Sequence, residues 1–141
     1  LDCINHLTKK QDLASCFALV HNFLVPDGLF LFDVNTPYKF ENIYSDRAYL
    51  LEDDGVLCAW QNDYHRRSKL CRFYISLFSE EKDGRYTRSD SCQTERCYSM
   101  KELKTALSAA GFALLSVEGD LAGNAPEADT PRWHFTARAI K

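Results

Sequence analysis

A chain of 141 residues suits one domain, and a composition 45% hydrophobic and 13% aromatic supplies a core, which excludes a disordered polymer. A net charge of -3 with scattered Arg and Lys argues against a dedicated nucleic-acid binder. No apolar run approaches the ~20 residues of a membrane span.

Leu1–Ile4 is expected to be the end of a strand. Thr8-x-x-Gln11 is a capping-box pattern, which predicts a helix from Lys9. Leu13, Phe17, Val20 and Leu24 then recur at helical spacing, and Val25 before Pro26 must leave the helix. Leu29–Val34 follow a Pro26-Asp27-Gly28 turn as a continuous apolar run, which predicts a strand buried on both faces. Strand, helix and strand within about 34 residues make a βαβ unit with parallel strands. Asp2–His6 and Asp33–Thr36 then open on one edge of the sheet, where ligands bind in open α/β folds.

Thr36–Arg47 is read as a loop with a helical turn. From Ala48 the period becomes two. Strands are predicted over Tyr49–Glu52, Val56–Tyr64, Leu70–Ser79 and Arg85–Cys97, with Asp54-Gly55 and Asp83-Gly84 as hairpin signals. Cys71, Phe73, Ile75 and Leu77 mark one buried face. Arg85–Cys97 is polar on both parities, so it is an edge strand or one facing a wet cavity. Ser99-x-x-Glu102 is a second capping box with Tyr98 and Leu103 as a staple, and Gly111 stops that helix. Phe112–Glu118 is a strand, Leu121–Pro131 a loop, and Trp133–Ile140 a final strand that pairs back antiparallel. The six cysteines form no C-x-x-C pair and lack a His at ligand spacing, so no metal site is expected. Reduced thiols fit a cytoplasmic protein.

The order of elements resembles the second half of a class I S-adenosylmethionine-dependent methyltransferase. The likeness is carried by LDCINHL at 1–7, LVPDGLFLFDVNTPYKF at 24–40 and YSMKELKTALSAAGF at 98–112. Asp27 stands where the family's P-G-G turn has its first Gly. NTPYKF followed by long antiparallel strands is similar to a bacterial, small-molecule subgroup with a β lid. The implied fold class is α/β: the C-terminal half of a Rossmann-like methyltransferase sheet with an antiparallel β insertion. Residues 1–37 and 98–141 would form the core and 38–97 the lid. The family's Gly-rich cofactor loop is missing from these residues. The isolated chain is therefore expected to be inactive and to bind S-adenosyl-L-methionine weakly.

The resemblance places Asp2, Cys3 and Asn5 beside the cofactor and His6 beside the reacting atoms. His6 is either a base, since imidazole titrates near neutrality, or a residue bonding locally at a helix start. Asp33, Asn35 and Tyr38 are substrate candidates. Asp33 and Asn35 are read equally well as turn residues before Pro37. Trp60 and Tyr64 are read as lid core. The expected partner is a small-molecule acceptor. The competing readings are an α/β fragment or module that dimerises through its β insertion, and a non-catalytic binding module.

Overall fold

The computed structural model describes all 141 residues. A 3-10 turn at Cys3–His6 leads into α1 (Lys10–Phe23), β1 (Leu29–Asn35) and a π-turn at Lys39–Tyr44. Then follow β2 (Ala48–Asp53), β3 (Val56–His65), β4 (Leu70–Glu80) and β5 (Tyr86–Arg96). The chain closes with α2 (Met100–Ala109), β6 (Phe112–Glu118) and β7 (Arg132–Ala139). Two sheets result, one of order β1-β7-β6 and one of order β2-β3-β4-β5. Every pairing is antiparallel.

Both helices contribute to the core of the first sheet. Leu13 and Phe17 of α1 and Leu103 and Leu107 of α2 are buried with Val34, Phe112, Phe135, Ala137 and Ala139. The Phe17 ring packs against Phe30 and Phe32 at 5.5 and 5.3 Å. A side chain of that size stabilises by about 2–3 kcal/mol on full burial. The second capping box forms as read: Ser99 accepts from the Glu102 N–H, and the Glu102 carboxylate accepts from the Ser99 N–H. Gly111 sits at φ 89, and a Cβ there would lie 2.8 Å from His21 Nε2.

Three expectations change. The first segment is a turn, not a strand. Asp2 takes φ 51, which breaks an extended path, and its N–H donates to Asp33 Oδ2 at 3.0 Å. The parallel βαβ pair is therefore absent. The first capping box does not form: Lys9 is the N-cap and no side chain caps it. β1 is not covered on both faces. Phe30, Phe32 and Val34 point to the helices, whereas Leu29 is half exposed and Leu31 is 66% exposed. β1 pairs on one edge only, with β7. The helical turn read within Thr36–Arg47 is present as a π-turn over Lys39–Tyr44, with Phe40 and Tyr44 buried.

That π-turn seeds the second sheet. Phe40, Tyr44, Tyr64, Cys71, Phe73 and Cys97 make its core. The Trp60 ring adds to it, 6.0 Å from Tyr44 and 5.8 Å from Phe73. Asp54 and Gly55 take φ 43 and 74, the two positive values that a two-residue hairpin turn demands. β5 is an edge strand, exposed over 86–93 and buried only near Glu95. At the turn before β1, Asp27 takes φ 61, the conformation glycine otherwise supplies. Gly28 is required there, because a Cβ would lie 2.9 Å from the Val25 carbonyl oxygen.

Candidate functional site

The two polar tails meet. Asn35 ends β1, and its N–H donates to Asn5 Oδ1 at 2.9 Å. Asn5 Nδ2 donates to the Arg96 carbonyl at 3.0 Å, at the end of β5. Asn35 Nδ2 donates to Glu95 Oε2 at 2.9 Å and reaches Asp2 Oδ2 at 3.3 Å. Lys39 Nζ, from the π-turn, donates to Asn35 Oδ1 at 3.0 Å. Asn5 and Asn35 are fully buried. Their amides are occupied inside the protein, so they join the 3-10 turn, β1, β5 and the π-turn into one seam.

Above the asparagines lies a charged layer. Arg132, the first residue of β7, pairs with Asp33 through one guanidinium nitrogen and with Asp2 Oδ2 at 3.1 Å through another. Burial pushes the Asp33 carboxyl up, but the Asp2 N–H and Arg132 outweigh it and hold it below the usual carboxylate range. Burial pulls Lys39 down, and Arg132 adds to this. Glu95 is raised: burial dominates, opposed by the Asn35 amide and reinforced by the charge of Asp2. His6 Nε2 faces Glu95 Oε1 at 3.8 Å, with 42% of the histidine side chain exposed against 7% of the glutamate's. Ligand-type atoms of Asp2, His6 and Glu95 lie within 4.8 Å of one another.

Of the residues singled out from sequence, Asp2, Asn5, His6, Asp33 and Asn35 are brought together. Cys3 is exposed on the turn, its thiol 3.6 Å from the Leu1 carbonyl. Tyr38 is half-buried at the head of the π-turn, where its carbonyl accepts from Asn42 Nδ2. It is the neighbours Lys39 and Tyr44 whose side chains reach the cluster. Four members were missed: Glu95, Arg132, Lys39 and Tyr44. One signal existed for Glu95. It pairs with Cys71, so extending the alternation of β4 across its hairpin puts a carboxylate on the buried face.

No family model matches the chain. Two curated bacterial proteins do, each 27% identical: "Putative methyltransferase GWCH70_2453" of Geobacillus sp. (strain WCH70) over 97% of this chain, and "Putative methyltransferase YqeM" of Bacillus subtilis (strain 168) over 99%. A solved S-adenosylmethionine-dependent methyltransferase from Clostridium acetobutylicum ATCC 824 superposes on the whole chain with a TM-score of 0.92 at 26% identity. The chain resembles S-adenosylmethionine-dependent methyltransferases. It spans about half the length of the curated relatives it matches, 56% of each, and 56% of the solved chain. The mixed α/β architecture with antiparallel sheets is that of these methyltransferase relatives. No helix is long and apolar enough to cross a membrane.

Proposed function

We propose that this chain is the acceptor-side half of an S-adenosylmethionine-dependent methyltransferase acting on a small molecule. Residues 1–37 and 98–141 serve as the partial core, and residues 38–97 as the lid. The observation that carries the reading is the meeting of Asp2–His6 with Asp33–Asn35 in one hydrogen-bonded polar cluster at the root of the second sheet. The charges of the cluster fit the cofactor. Three carboxylates, Asp2, Asp33 and Glu95, face two cations, Arg132 and Lys39, and the carboxylate in excess suits a positively charged sulfur.

When bound, S-adenosylmethionine supplies an electrophilic methyl group on sulfonium, which leaves as a neutral thioether. Asp2 and Cys3 edge the cofactor side, with Asn5 holding their turn from behind. Asp33 and Asn35 fix the substrate side through Arg132 and Lys39, and Tyr38 stands at its rim. Methyl transfer is an in-line displacement, so alignment of the two partners is the main service of such a frame. His6, in the cluster, accepts the acceptor's proton. The relatives do not favour a non-catalytic module.

The test is transfer of labelled methyl by the protein containing this chain. Asp2→Ala and His6→Ala are each expected to abolish it, and full activity in both would refute the assignment. The isolated 141 residues are expected to bind S-adenosylmethionine only weakly. Micromolar binding by calorimetry would contradict that.

A further inference from the structure

We propose that Glu95, delivered from the second sheet by β5, is the positioning carboxylate of His6, and that the methyl acceptor is one with a proton to give up, X–H with X oxygen or nitrogen. This rests on the transferase reading above. Its physical basis is the cost of placing Glu95 where it is. A buried carboxylate needs donors, and Glu95 has one hydrogen-bond donor: Asn35 Nδ2 on Oε2. The titratable groups that face it are Asp2 just before the 3-10 turn, His6 from that turn, Lys39 and Tyr44 from the π-turn, and Cys71 from β4. Lys39 Nζ bonds Asn35, and the Asp2 carboxylate is drawn to Arg132. Oε1 is left facing His6 Nε2 at 3.8 Å. A merely packed position is served better by an uncharged side chain.

Such a pair has a defined use. Glu95 Oε1, 3.8 Å from Nε2, favours the Nε2–H tautomer of His6; Nδ1 is then the acceptor, and no hydrogen bond engages it in the structure. The bond X–CH3 forms as the sulfonium–CH3 bond breaks, the bonding pair goes to sulfur, and the proton of X–H passes to His6 Nδ1. Glu95 then balances the imidazolium. An acceptor without a proton, such as a thioether, gains nothing from this arrangement. The charge balance is also set by the lid strand, so chemistry and lid placement are coupled through one residue.

The experiment follows the carboxyl carbon of Glu95 by NMR through a pH titration of the 141-residue chain. His6→Gln removes the charge that favours ionised Glu95, so its titration is expected to move to higher pH. Asp2→Asn is expected to move it lower. An unchanged midpoint in His6→Gln overturns the pairing. In the protein containing this chain, Glu95→Gln keeps the acceptor for Asn35 and is expected to lower kcat about 10- to 100-fold with KM little changed and the acidic limb of the pH profile moved to lower pH. Unchanged kcat overturns the role. Loss of all transfer in the wild type, with the NMR coupling intact, would remove the transferase reading and leave the pair standing. Micromolar binding of Mn2+ or Zn2+ that Glu95→Gln abolishes would assign Asp2, His6 and Glu95 to a metal and overturn the proposal.

Discussion

The two sheets are built from the same antiparallel pairing but are anchored very differently. The first is covered on one face by two helices, and its core takes side chains from α1, α2 and all three strands. The second is a four-strand meander buried only at its root, on Phe40 and Tyr44 of the π-turn. Its far end exposes Leu50, Leu51, Leu77 and Tyr86. The polar cluster sits where the root of the second sheet is pinned to the first layer. Glu95 and Arg96 are pinned there by asparagines of the first layer, while the rest of β5 stands in water.

The largest break in this comparison is expected from Phe17→Ala in the first core, at about 3–5 kcal/mol of stability by denaturant unfolding. Tyr86→Ala at the far end of the second sheet should fall within about 0.5 kcal/mol. Equal losses would mean that the two regions are not anchored differently. Next comes Asn5→Ala, which strands the buried Asn35 N–H and the Arg96 carbonyl together. A loss of about 2–3 kcal/mol is expected, with faster exchange of the Asn35 amide.

Ser99→Ala should cost about 1 kcal/mol and change the acid limb of stability. Burial pushes the Glu102 carboxyl up, but the Ser99 N–H, Lys10 and the Ser99 hydroxyl outweigh it and hold it at about 2. A depressed carboxyl contributes stability above its unfolded value, so wild-type stability is lost as pH falls from about 4.5 toward 2. Ser99→Ala should flatten that slope. The raised Glu95 has the opposite sign: its penalty grows as pH rises through its unfolded value toward its folded one. The smallest effect is chemical. Cys3 and Cys92 are exposed and should react at once with a thiol reagent. Cys71 is buried, and burial with the charge of Glu95 pushes its thiol up to about 12. It should react only on unfolding.

Local chemistry was read correctly where it was self-sufficient. The four strands of the second sheet follow from alternation and two Asp-Gly turns, and α2 from a capping box that the structure completes. The pattern at Thr8 looked the same and failed, because the chain enters α1 from a 3-10 turn and makes Lys9 the N-cap. The apolar run of β1 identified a strand but not which faces are covered, since a run without alternation says nothing about sides. Leu29 and Leu31 are the result. The site was half visible. Asp2, His6 and Asp33 stood out as polar residues at element ends. Arg132 reaches Asp33 from 99 residues away, and Glu95 reaches Asn35 from 60, distances that only the completed pairing reveals.

Methyl transfer at the polar cluster between the two sheet roots remains the proposed reading. It is tested most directly by comparing transfer rates of Asp2→Ala and Asp90→Ala in the protein containing this chain. Both remove one carboxylate, the first in the cluster and the second on an exposed stretch of β5 where Asp90 meets Arg88 and Ser76. Loss of transfer with the first and wild-type rates with the second are predicted. Wild-type rates with both, in folded protein, would place the reaction elsewhere.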